Sequence, residues 1–141
     1  MKKLTIKPRL GSGNIKLLEQ IVGHSFSNSF KQFMMENAGL SHYENIYVDR
    51  RGTEWEVSQY NQFKDLYGLT KEFKEKGWGL KIPFAYDPGG WHYCLSFDAE
   101  TYGKILVNRW TDHSPEEQFV VIADDFEIFI NGLERRSEEL L

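Results

Sequence analysis

At 141 residues, 40% of them hydrophobic and 27% charged, the chain has the size and composition of one folded domain, which excludes extended disorder. A net charge of −4 argues against a nucleic-acid binder, which needs a basic surface, and no apolar run approaches the length of a membrane span. The single cysteine, Cys94, excludes an internal disulfide and points to a reducing, cytoplasmic setting.

In chain order, Leu4 and Ile6 alternate with polar residues up to Pro8 and predict a short edge strand. After Gly11-Ser12-Gly13, Ser12 or Asn14 can cap a helix in which Ile15, Leu18, Ile21 and Val22 share a face, with Gly23 ending it. Ser27 or Asn28 caps a second helix bearing Phe30, Phe33 and Met34, which stops at Asn37-Ala38-Gly39. Ile46–Val48 and Trp55–Val57 flank Asp49-Arg50-Arg51-Gly52 and read as a small hairpin. From Tyr60 to Lys76 the apolar spacing is helical, with a break at Gly68 and a new cap at Thr70.

Three strand-like runs follow, Gly79–Tyr86, Trp91–Phe97 and Gly103–Trp110, with a short fourth at Phe119–Ile122. Asp124 or Asp125 caps a last helix with Phe126, Phe129, Ile130 and Leu133 on one face. This order predicts an α+β single domain over residues 1–141, with its core in 12–136. It comprises a mostly antiparallel sheet of about five or six strands, an N-terminal helical hairpin, a middle helix and a C-terminal helix.

Asp87-Pro88-Gly89-Gly90 looks at first like an anion-gripping loop. A phosphate loop needs a helix after its glycines, and here Trp91-His92-Tyr93-Cys94-Leu95 is a strand, so the segment reads as a hairpin turn. His24, His42, His92 and His113 show no metal-ligand spacing, so neither a metal nor another cofactor is expected. Cys94 lies among apolar neighbours as a core residue rather than a nucleophile. Asp112 beside His113 reads either as an acid–base pair or as part of a polar loop.

Charge is uneven. Residues 1–31 carry six basic side chains against Glu19 alone, and residues 116–141 carry eight acidic ones against Arg135 and Arg136. Aromatic residues near strand ends stand beside acids, the composition of a contact surface for a basic protein partner. The candidate partner-binding residues are Asp87, Trp91, Asp98, Trp110, Asp112 and His113.

Several segments resemble one family in the right order. They are Ile15 to Glu19, Phe26–Met34, Glu36-Asn37-Ala38-Gly39, Leu80–Ala85 with Asp87, Gly89-Gly90 and Cys94-Leu95, Gly103-Lys104-Ile105, and Ile122–Leu133. Together they are similar to the SUKH superfamily, in the group named after the Smi/Knr cell-wall regulator, across roughly residues 15–133. Phe26-Ser27 replaces the usual Leu-Pro, Ala38 a glycine, and Trp91 a small polar residue.

The resemblance implies a cytoplasmic, non-enzymatic immunity protein that binds and occludes a cognate bacterial toxin domain, such as a nuclease or deaminase with a basic surface. Neither a nucleic-acid nor a membrane partner is expected, on the net charge and the lengths of the apolar runs. The alternative function is a regulatory domain holding a small molecule or nucleotide on its concave sheet, in a pocket of Tyr86, Trp91, Trp110 and His113. A hydrolase using Asp112 and His113 is a more distant third.

Overall fold

A computed structural model describes residues 8–111 and 113–136; the strand expected before Pro8, and Asp112, lie outside the described residues. Helix α1 (Ser12–Val22) buries Ile15, Leu18 and Val22, the spacing that puts side chains on one helical face. Its cap is Gly11 rather than Ser12; Asn14, three residues in, reaches back and accepts the Gly11 N–H at 2.9 Å. Gly23 ends the helix in the left-handed region (φ 74°) and donates to the Glu19 carbonyl. The Glu19 carboxylate accepts the Phe26 N–H at 2.7 Å, which fixes the link to helix α2 (Asn28–Asn37). Ser27 caps α2 through the Phe30 N–H, and Phe30 and Met34 are buried.

Two sheets follow. A small antiparallel one has the order β2 (Glu54–Glu56), β1 (Glu44–Val48), β8 (Glu134–Arg135). The larger is antiparallel throughout and runs β3 (Gln59–Tyr60), β4 (Lys81–Tyr86), β5 (His92–Ser96), β6 (Ile105–Asn108), β7 (Phe119–Ala123). The expected hairpin at 46–57 forms, but in its own sheet, completed by the two-residue β8 that sequence reading did not anticipate. Helix α3 (Phe63–Glu75) packs on β4 and α1, and α4 (Phe126–Asn131), capped by Asp125 through the Ile128 N–H, packs on β7.

The middle helix differs from expectation at both ends of its first half. Tyr60 is a strand residue, because its N–H donates to the Leu40 carbonyl and its ring packs on Phe33 at 4.9 Å. The next residue, Asn61, donates to the Phe84 carbonyl, so the chain stays extended until Phe63. Gly68 does not interrupt α3, and Thr70 is buried mid-helix rather than a cap. A single helical glycine costs about 1 kcal/mol relative to alanine. Burying Leu66 and Phe73, each at about 1.5–3 kcal/mol, outweighs it.

Strand alternation gives the larger sheet two different faces. Ile82, Phe84, Tyr93, Leu95, Phe97, Ile105, Val107 and Ile122 belong to the main core together with Phe26, Phe30, Phe126 and Phe129. Its rings meet edge to face, Phe30 with Phe126 at 4.9 Å and Phe84 with Phe129 at 5.8 Å. Tyr47 of the small sheet seals it against Phe129 at 4.9 Å. On the opposite face the register aligns Tyr86, His92, Asn108 and Phe119 in one row and Pro83, Cys94, Leu106 and Val121 in the next.

Candidate functional site

The second face is only partly roofed. Phe73 from α3 packs on Trp78 at 5.1 Å, Phe119 at 6.2 Å and His92 at 6.5 Å. Beyond Phe73 the sheet stays open as a groove of about 790 Å³ lined by Trp78, Lys81, Asp98, Leu106, Phe119 and Val121. On the other side of Trp78 a smaller cavity of about 210 Å³ runs between α3 and the sheet, with Trp110 as an outer wall.

The turn from α3 into β4 makes this arrangement. Gly77 (φ 75°) and Gly79 (φ 101°) bracket Trp78, and a Cβ on Gly79 would stand 2.3 Å from Asp98 Oδ2 and 2.6 Å from Lys81 Nζ. Glycine there leaves room for the Lys81–Asp98 pair, 2.6 Å between Nζ and Oδ2. Lys81 is buried, donates also to the Trp78 carbonyl at 2.7 Å, and lies 4.3 Å over the Phe119 ring. Asp98 accepts a further bond from the Leu80 N–H at 2.8 Å. Lys76 repeats the pattern at the rim, 4.6 Å over Trp78 and paired with Glu72 at 3.0 Å. Both cations are matched locally.

The acids of the C-terminal third divide in two. Asp124 pairs with Arg50 and with Lys104, Asp125 caps α4, and Glu127 accepts from Ser29 at 3.0 Å. Glu100, which lines the groove, and Glu116 and Glu117 are exposed and form no ion pair among the described residues. Glu116 and Glu117 sit in a 3₁₀ turn (Pro115–Glu117) leading into Gln118 and Phe119 at the groove edge. Glu100, Glu116 and Glu117 therefore stand beside the open aromatic face without an ion-pair partner, whereas Glu134 is exposed on the small sheet.

Of the residues singled out from sequence, Asp98 and Trp110 face this side, Asp98 in the groove and Trp110 on the smaller cavity, where it is 53% exposed. Asp87 organises the hairpin turn, its Oδ1 accepting the N–H groups of Gly89 (2.9 Å) and Trp91 (2.8 Å), and Gly90 takes φ 95°. The glycine pair is thus the turn of β4 and β5. Trp91 packs against the main core and donates its indole N–H to Thr111 Oγ1 at 2.9 Å. His113 meets the Trp91 ring edge-on at 5.5 Å, and its Nδ1 lies 2.9 Å from the Thr111 carbonyl. Tyr86 meets the His92 ring edge-on at 6.2 Å, and its hydroxyl donates to Gln59 Oε1 at 3.0 Å.

Trp78, Lys81, Phe119 and Asn108 were not foreseen as a site. The usable signal was the alternation of β5: if Tyr93, Leu95 and Phe97 face the core, His92, Cys94 and Ser96 define a second face that needs its own cover. On that face burial pushes the Cys94 thiol pKa far up, so it stays protonated at neutral pH. Burial also lowers the His92 pKa, against the opposing pull of the Ala85 carbonyl and the carboxylates of Asp87, Asp65 and Glu72. Among the described residues no three His, Cys, Asp or Glu side chains are grouped to hold a metal ion, and no helix is long and apolar enough to cross a membrane. What the face offers is aromatic area, two matched cations and an acidic flank, which are means of contact.

No curated protein matches the chain. The family model SUKH_6, described as SMI1-KNR4 cell-wall, matches residues 12–130, from the first residue of α1 into α4 and across the whole larger sheet. That span takes in Trp78, Lys81, Asp98, Trp110 and Phe119, so the groove belongs to the family domain, and the chain is a member of the SUKH family in its SMI1-KNR4 cell-wall group.

Proposed function

We propose that the chain is an immunity protein, which binds a bacterial toxin domain and blocks it by occupying its surface rather than by a reaction of its own. Family membership supports the class. The observation that carries the choice of surface is the open second face of the larger sheet, where Trp78, Phe119, Val121 and Trp110 adjoin the unmatched acids Glu100, Glu116 and Glu117. Aromatic side chains at the centre with charge at the rim are the usual anatomy of a protein contact.

An acidic rim suits a toxin that acts on nucleic acid, since such an enzyme presents a basic channel and the charge pair speeds encounter. In this reading Asp98 and Trp110 touch the toxin directly. Asp87, Trp91 and His113 hold the adjoining turn. The setting is the cytoplasm, where the buried Cys94 stays reduced.

The test is calorimetric titration of the purified chain with the toxin domain encoded beside it. Stoichiometric binding that inhibits the toxin, and that weakens as salt is raised, supports the proposal. An absence of binding overturns it.

A further inference from the structure

The smaller cavity has a floor that the docking groove lacks. His92 and Asn108 are directly paired in register across β5 and β6, so their side chains stand next to each other on the same face. Both line the cavity, and Asn108 is 1% exposed. Asn108 Oδ1 accepts from Gln118 Nε2 at 2.9 Å, which leaves Nδ2 as a donor, and that atom has no partner. His92 Nδ1 is likewise buried with no partner in good hydrogen-bond geometry, although the Ala85 carbonyl stands close enough to the ring to act on it. Buried polar atoms are nearly always paired, so two adjacent exceptions in one cavity call for a ligand.

The walls restrict what that ligand can be. Phe73, Trp78 and Trp110 surround the opening, and the volume of about 210 Å³ lies below the ~300–1,000 Å³ typical of drug-sized ligands. It takes a single ring, not a nucleotide. A carboxylate is disfavoured, because Lys76 on the cavity wall is already paired with Glu72 at 3.0 Å and Glu72 adds a negative charge beside it. A hydroxyl fits both floor atoms. Its oxygen accepts from Asn108 Nδ2, and it either donates to His92 Nδ1 or accepts from it, whichever tautomer the imidazole adopts.

We infer that this cavity is a socket for a neutral phenolic ring, supplied by a tyrosine of the protein that docks in the adjoining groove. The tyrosine source rests on the immunity reading. The groove and the cavity share Trp78 as a common wall, so a partner lying in one can insert a side chain into the other. Tyrosine is also among the residues enriched as buried anchors at such contacts.

The socket is testable without the toxin. Para-cresol, which is the tyrosine side chain alone, is titrated into the chain while the four tryptophan indole N–H resonances are followed. Saturable shifts at Trp78 and Trp110 are expected. Trp55 and Trp91 stay unmoved, because neither lines the cavity. Toluene, which has the ring without the hydroxyl, binds weaker by about tenfold or more, since it leaves the floor unpaired.

Asn108→Leu erases that preference. If this variant does not fold, Trp110→Ala removes an exposed wall and weakens para-cresol binding on an intact domain. No shift at Trp78 and Trp110, or equal affinity for toluene, overturns the socket.

Excess para-cresol is then added to the toxin titration. Weakened toxin binding supports the tyrosine source, whereas unchanged binding overturns it. A toxin that fails to bind at all overturns the immunity reading and leaves the para-cresol isotherm standing, so the two failures are distinguishable.

Discussion

Lys81 Nζ lies 2.6 Å from Asp98 Oδ2, with Lys81 8% exposed and Asp98 30% exposed at the side chain. The asymmetry decides which partner is expendable. Asp98→Ala leaves the buried ammonium with the Trp78 carbonyl but no counter-charge and frees the Leu80 N–H, so stability falls by about 2–3 kcal/mol. Lys81→Met keeps the apolar stem and leaves Asp98 with Leu80 and solvent, at a cost of about 1 kcal/mol. Gly79→Ala places a Cβ against both groups at positive φ and destabilises as much as Asp98→Ala. Urea midpoints with unchanged slopes check the order, and a larger loss for Lys81→Met than for Asp98→Ala contradicts it.

His92 makes stability depend on pH in a defined window. Its pKa in the folded chain is lowered from 6.5, so below pH 6.5 the unfolded chain binds the proton more readily than the folded one. The stability it contributes is complete above that pH and is lost as the pH falls towards the depressed folded value. His92→Gln removes this slope. Thermal unfolding of both proteins across that window is the measurement, and identical slopes would refute the assignment to His92.

Much of the architecture could be read from the residues, and what could not has a common cause. α1, α2 and the three central strands carry their signal within a few residues: Ile15, Leu18 and Val22 repeat at helical spacing, and Ser27 caps α2 as its position suggests. Tyr60 did not, because its strand conformation is imposed by Leu40 and by pairing with Ala85, which are remote in sequence. The same holds for β8, two residues long and defined only by its pairing with β1. The groove was half legible. Asp98 and Trp110 stood out beside turns, whereas Trp78 gains its place only once α3 closes over the sheet and Gly77 and Gly79 turn it under.

Asp49 is the organiser of the β1–β2 hairpin. It is 7% exposed; one oxygen accepts the Arg51 and Thr53 N–H groups at 2.9 and 3.0 Å, and the other the Trp55 indole at 3.0 Å. Although burial raises its pKa, the bonds from Trp55, Thr53 and Arg51 outweigh that and hold it below 3.8. Its stabilisation is present above pH 3.8 and is lost as the pH falls through the lowered value. Asp49→Ala leaves three donors unpaired and costs about 2–3 kcal/mol at neutral pH, read as a fall in the urea midpoint. A loss under about 0.5 kcal/mol, the level of an ordinary surface substitution, defeats the prediction.

Trp91 and Trp110 separate stability from binding. They stand at the same end of the sheet, yet Trp91 is half-buried against the main core and tied to Thr111, whereas Trp110 is 53% exposed on the rim of the smaller cavity. Trp91→Ala leaves a hole beside that core, so it lowers stability by about 3 kcal/mol and leaves the toxin affinity of the folded fraction nearly unchanged. Trp110→Ala removes a rim anchor, so toxin affinity falls by about tenfold or more while stability shifts by under about 0.5 kcal/mol. Paired denaturation and calorimetry on both variants read the two effects independently. A reversed result moves the contact from the groove to the turn around Asp87 and His113, because only there would Trp91 matter more to the partner than to the fold.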